Sequence, residues 1–136
     1  MGFSGATAYA KVNASSGVEN ADPHLLIQML IDGSIEKLNR AKFFLNDKNT
    51  AQKGTQISWA ISIIGGLKAS LDMQNGGDIA NNLSDLYDYC TVTLAQANVE
   101  NDEAKIDSVL SVLNEIKIGW DGIREESLQM TEKTNA

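Results

Sequence analysis

Asp22-Pro23-His24-Leu25-Leu26-Ile27-Gln28-Met29-Leu30-Ile31-Asp32-Gly33 opens the part of the chain on which the fold turns. An acidic residue followed by proline is a favoured helix start. The Asp22 carboxylate can accept from a free backbone N–H, and Pro23 lacks an N–H that would have no intrahelical partner there anyway. Pro23 is the only proline among the 136 residues. From Leu25 to Leu45 only Gly33 opposes a helix, and Ile27, Leu30, Ile31, Leu38, Ala41 and Leu45 share one face of the wheel. Leu25, Leu26 and Met29 point away from that face. The first two turns are therefore apolar nearly all round, which predicts cover on both sides.

Working outward, Asn46-Asp47-Lys48-Asn49 is a polar break, and Thr50 is placed to cap a second helix with the seam Ile57, Ile61, Ile64, Leu67 and Leu71. Gly76-Gly77 reads as its stop, since glycine reaches the left-handed conformation without strain. Asp78 is placed to cap a third helix, with Ile79, Leu83, Leu86, Cys90, Leu94 and Ala97 on one stripe. Asn98 to Asn101 is the next break, and Asp102 caps a fourth helix whose seam is Ile106, Val109, Leu110, Leu113, Ile116 and Trp120. Strand signals are absent. Short connections between helices of this length predict an all-α, antiparallel, up-down four-helix bundle over residues 22–123. Residues 1–21 are small and polar around Phe3, Tyr9 and Val12 and read as a loose N-terminal arm. Residues 124–136 read as a polar, flexible tail, frayed at the C-terminus.

Charge and composition narrow the class. The net charge is −7, and the eleven basic residues are scattered rather than massed. A nucleic-acid binder shows a basic stripe, because phosphate neutralisation supplies much of its affinity. No nucleic-acid partner is expected, and a polybasic membrane anchor is disfavoured on the same ground. No run approaches the ~18 apolar residues of a membrane span, so no membrane insertion is expected. Met1 to Ala14 lacks the pattern of a secretory signal. The single cysteine, Cys90, fits a reducing, cytoplasmic setting.

The sequence offers little to catalysis. A di-metal centre in a helical bundle needs Glu-x-x-His pairs on facing helices. Here Ala21 stands three residues before His24, and no second histidine exists. Neither a metal site nor a cofactor is expected. A phosphate-accepting histidine in a signalling bundle is the alternative for His24, but its place in a first helical turn favours a structural role. Cys90 lies on the apolar stripe of the third helix, where a thiol acts as a small hydrophobe. Gly65-Gly66 and Gly76-Gly77 lack the neighbours of a phosphate loop. The expectation is a protein without catalytic residues.

What remains is apolar surface. Trp59 and Ile63 widen the arc of the second helix to roughly 200° of the wheel at 100° per residue, against the ~100° a bundle helix needs. Tyr87 and Tyr89 flank the third helix's seam, and Val92 lies off it. Tyrosine suits a groove edge, ring covered and hydroxyl wet. Boundary positions or a homodimer across the Trp59/Ile63 face would account for this, and so would a peptide-binding groove.

Four stretches carry a resemblance: Asp22 to Gly33; Gly66-Leu67-Lys68-Ala69-Ser70-Leu71-Asp72; Gly76-Gly77-Asp78-Ile79-Ala80-Asn81-Asn82-Leu83 with Leu86-Tyr87-Asp88-Tyr89; and Leu94, Ala97-Asn98 and Asn101-Asp102 followed by Trp120. In this order and spacing the chain resembles the FliS family of flagellar export chaperones. Tyr9 matches that family's N-terminal tyrosine. The resemblance implies a bundle that binds the disordered C-terminal segment of flagellin in the cytoplasm, prevents premature polymerisation, and delivers it to the flagellar type III export apparatus. It implies an arm that covers part of the groove until flagellin replaces it. Partner-binding positions are then expected at Tyr9, Leu25, Leu26, Met29, Trp59, Ile63, Leu67, Tyr87, Tyr89 and Val92. Export gate components and the flagellar anti-sigma factor are further candidate partners, and a weak homodimer is a further candidate state. Ile31 stands where the family commonly has tyrosine, Trp59 where a polar residue is usual, and Thr91-Val92-Thr93 where basic residues are common.

Overall fold

Asp22 starts the first helix as its chemistry dictates. Its Oδ1 accepts from the Leu25 N–H at 2.7 Å, and Pro23 occupies the first turn. The computed structural model describes residues 22–135, with side chains over 22–123. Tyr9 and the expected arm lie outside the described residues. Four helices follow: α1, Pro23–Asn46; α2, Thr50–Ala69; α3, Gly77–Glu100; and α4, Glu103–Asn135. Each packs on its sequence neighbours, α4 closes back on α1, and the diagonal pairs do not approach. With such short connections this is the expected antiparallel up-down bundle.

The core forms where the inward stripes meet. Leu38 and Ala41 come from α1, Ile57, Ile63, Ile64 and Leu67 from α2, Cys90 and Leu94 from α3, and Ile106, Val109 and Leu113 from α4. Ile63 is thus a core residue and not surplus. The buried residues of α2 spread over roughly half its wheel, because α2 packs on two helices, α1 and α3. An arc that is too wide for one contact is needed for two.

Several boundaries differ from the expectation, each for a local reason. Asn49, not Thr50, caps α2, its Oδ1 accepting from the Gln52 N–H at 3.2 Å. α2 ends at Ala69, before the glycine pair. Asp72 organises the intervening turn by accepting from the N–H groups of Gln74 and Asn75 and from the Asn75 amide. The pair instead opens α3. A Cβ on Gly76 would lie 2.5 Å from the Ala80 Cβ and 2.6 Å from the Asp72 carbonyl oxygen, and Gly77 has φ +57°. Gly76, not Asp78, holds the N-cap position of α3. The buried stripe of α3 takes Ala80 and Tyr87 in place of Ile79 and Leu86. Helical backbone continues through the segment expected as a tail.

Two buried lysines complete the frame. Lys53 of α2, only 2% exposed, donates from Nζ to the Asn98 carbonyl at 2.8 Å and to Oδ1 of Asn101. Asn101 sits at φ +53° and ψ +46° at the end of α3, so a cation from a neighbouring helix serves that helix's C-terminus. Lys37 lies beneath Trp59, with Nζ 4.0 Å from the ring centroid.

Candidate apolar binding groove

At the end of the bundle where α1 begins, α2 ends and α3 begins, the described residues line an open apolar groove of about 710 Å³. The start of α1 gives it Leu26 and Ile27, the α2–α3 turn gives Leu71, α3 gives Ile79 and Leu83, and α4 gives Ile116. The first turn of α1, from Pro23, and the glycine-bearing α2–α3 turn border the groove. Ile79 is 74% exposed although it is branched and apolar. Its neighbour Ala80, one position on, is the residue that packs inward.

His24 and Trp120 build one wall of this groove. Trp120 Nε1–H donates to the His24 carbonyl at 2.9 Å, and His24 Nε2 meets the Trp120 carbonyl at 2.6 Å. A carbonyl can only accept, so the imidazole proton sits on Nε2. The rings stack with centroids 4.4 Å apart and planes 6° from parallel. Nδ1 is buried without a partner. Close by, Lys117 donates to Asp32 at 2.5 Å and lies 3.7 Å from Asp121, fixing α4 against α1. Those contacts, the Asp32 hydrogen bond foremost, raise the Lys117 pKa.

The positions expected from sequence fall into three places. Leu26 and Tyr87 line the groove. Leu25 and Met29 are half-buried on α1, while Ile63 and Leu67 lie in the core. Trp59, Tyr89 and Val92 are exposed on the outer faces of α2 and α3. Tyr87 is not the wet groove edge that its amphipathic ring suggested. It is 3% exposed, and burial pushes its hydroxyl up to about 12. The His24–Trp120 pair was missed, because two chemistry-bearing residues 96 positions apart give no periodic signal. Ile116, Leu83 and Leu71 were read as seam and do pack on the core, but at this end they also line the groove.

Nothing in the described residues is arranged for bond-making. The one imidazole is held by Trp120, and the Cys90 thiol is buried, which pushes it up to about 11. No group of three or more His, Cys, Asp or Glu side chains is placed to share an ion among the described residues. No helix among them is long and apolar enough to cross a membrane. A four-helix bundle with an open apolar groove at one end has a surface suited to binding a partner.

Comparison with known proteins gives the family. Residues 5–127 match the family described as flagellar protein FliS. The chain is 48% identical to the flagellar secretion chaperone FliS of Salmonella typhimurium over 86% of this chain and 87% of that one. It is 43% identical to the flagellar secretion chaperone FliSB of Pseudomonas aeruginosa, over 85% and 91% respectively. The FliS of Vibrio cholerae is 40% identical, with 91% of each chain covered. A crystal structure of a flagellar chaperone from bacteria shares the fold, with a TM-score of 0.73 at 18% identity, covering 85% of this chain and 98% of that one. The chain belongs to the FliS family of flagellar secretion chaperones, and it is not an enzyme.

Proposed function

We propose that this protein binds flagellin in the cytoplasm, holds its disordered C-terminal segment in the groove between the starts of α1 and α3, and hands it to the type III export apparatus. The observation that carries the reading is the groove itself: about 710 Å³ of open, apolar-walled space in a chain of this family. A segment that folds on binding loses ~2–5 kcal/mol to ordering. Each apolar side chain it fully buries returns ~1.5–3 kcal/mol, so three anchors in the groove suffice to offset that cost. Tyr89 and Val92 extend the contact along α3. Tyr9, on the N-terminal arm, competes for the same groove in the absence of flagellin.

Co-expression with flagellin, full-length and truncated at its C-terminus, tests this. A complex with the full-length protein that is lost on truncation supports the proposal. An equally stable complex with the truncated protein refutes it.

A further inference from the structure

The opposite end of the α1/α2 pair carries a second, smaller slot of about 520 Å³, walled by Arg40, Phe43 and Phe44 of α1 and Gln52 and Gln56 of α2. Leu30 of the groove and Phe43 of the slot are thirteen residues apart on one helix, which at 1.5 Å per residue is ~20 Å. The two sites are therefore separate.

Three features set the slot apart from ordinary surface. Phe43 is 64% exposed and rests edge-to-face on Phe44, centroids 5.4 Å apart, so an aromatic pair is left open to solvent. Gln56 is 8% exposed, and its Oε1 is buried with no hydrogen-bond partner. An unsatisfied buried amide oxygen is costly, and such groups are uncommon in folded proteins. The third feature is charge. Lys37, Arg40, Lys42, Lys48 and Lys53, five of the eleven basic residues, lie between positions 37 and 53, where Asp47 is the sole acid in a chain of net charge −7. Glu36 is shared between Lys37 and Arg40, Lys42 is paired with Asp107 at 2.6 Å, and Lys53 is bonded to neutral oxygens, which leaves Arg40 and Lys48 as the exposed cations beside the slot.

We propose that this slot docks an extended, acidic peptide segment of another protein, bearing one aromatic or branched apolar anchor. The anchor packs on Phe43 and Phe44. A main-chain amide offers both a donor and an acceptor and so satisfies the Gln56 amide. Acidic side chains on either flank face Arg40 and Lys48. Because the slot and the groove are separate, both sites are filled at once, and the chaperone can carry a client while it is docked elsewhere.

The test uses the full chain and a fluorescent fifteen-residue peptide, rich in Asp and Glu with one central Phe, followed by anisotropy at moderate salt. Two control peptides replace the Phe by Ser, or every acid by Lys. The expected result is binding at least tenfold tighter than either control, weakened at least tenfold by Phe43→Ser and by Gln56→Leu, and unchanged by a saturating flagellin C-terminal peptide. Phe43 is surface-exposed, so its replacement should leave the fold intact, which circular dichroism would check. Equal binding of the Lys peptide, indifference to both substitutions, or displacement by the flagellin peptide overturns the proposal. Displacement by a synthetic peptide of residues 1–21 assigns the slot to the chain's own N-terminal segment. Sedimentation as a dimer that Phe43→Ser dissociates assigns it to a second copy. Either outcome also overturns the proposal.

Discussion

His24 and Trp120, 96 residues apart, each use a ring nitrogen to bond the other's backbone carbonyl while their rings lie face to face. The pair ties the first turn of α1 to α4 at a helix end where fraying would otherwise begin. It also forms a wall of the groove, so fold and binding surface depend on the same contact.

Trp120→Phe keeps a stacking ring but removes the Nε1–H donor together with one ring of the indole. The hydrogen bond alone contributes ~0.5–1.5 kcal/mol, so a loss of at least that size is expected by denaturant unfolding. Trp120→Ala removes the wall as well. It should cost more than the Phe substitution and weaken flagellin binding beyond what Phe does. Equal affinity for both variants would detach the clamp from the site.

The bundle was legible in the sequence because its signals are local: Asp22-Pro23, the polar breaks, and stripes at steps of three and four. What stayed hidden depended on neighbours. The arc of α2 looked excessive until α1 and α3 were both packed on it, which made Ile63 core. On α3 the wheel favoured Leu86, whereas the fold turned Tyr87 inward. Lys53 and Lys37 gave no sign of burial, since a lysine reads as surface until an acceptor or a ring is brought to it. The groove is a gap between helix ends, and no single helix encodes a gap.

The Lys53 contact predicts a paired result at Asn101. Asn101→Gly loses the side-chain acceptor but accepts φ +53° freely, whereas Asn101→Ala loses the acceptor and must also hold a left-handed backbone, at ~1–2 kcal/mol. Thermal melting should rank wild type above Gly above Ala. Lys53→Met should lower stability by ~1–3 kcal/mol, because the Asn98 carbonyl and the Asn101 amide lose their donor.

Stability should fall in alkali. Burial raises the Cys90 thiol from 9.0 to about 11 and the Tyr87 hydroxyl from 10.0 to about 12. The unfolded chain ionises first, so the stability tied to the neutral buried forms is complete below pH 9. It declines from there until the folded-state values are passed. Lys42 and Lys117, raised by their carboxylate partners, act in the same direction at higher pH. Urea titrations at pH 8 and pH 10 should show the drop, and Cys90→Ala should flatten the part that begins at pH 9. At pH 8 the native thiol should resist alkylation.

At the acid end the relevant group is the Asp72 carboxylate. It is held below its usual value of 3.8, chiefly by the Asn75 side-chain amide and then by backbone N–H groups of the α2–α3 turn. Its contribution is therefore present above pH 4 and lost as the pH falls below that. Asn75→Ala should raise the carboxyl toward 3.8, which NMR titration of the Asp72 side chain would detect.

The position of the client site can be decided with two exposed residues on different faces. Ile79 lines the groove and Trp59 covers Lys37 on the outer side of α2. Both are partly open to solvent, and surface substitutions of this kind change stability by about ±0.5 kcal/mol. Ile79→Asp also places a carboxylate in the first turn of α3, where the helix dipole favours it, so the fold has no reason to weaken. In the groove, by contrast, that carboxylate must be desolvated against the client's apolar anchors without a partner. Ile79→Asp should therefore leave the melting temperature near wild type and weaken flagellin binding more than tenfold, a change of ~1.4 kcal/mol or greater. Trp59→Gln exposes Lys37 and should cost a little stability through the lost cation–π contact, ~0.5–1 kcal/mol, while affinity changes less than threefold. Titration calorimetry on both variants, with melting curves alongside, separates the two faces. The reverse pattern, full affinity in Ile79→Asp and a tenfold loss in Trp59→Gln, would move the client from the end of the bundle to the α2 face.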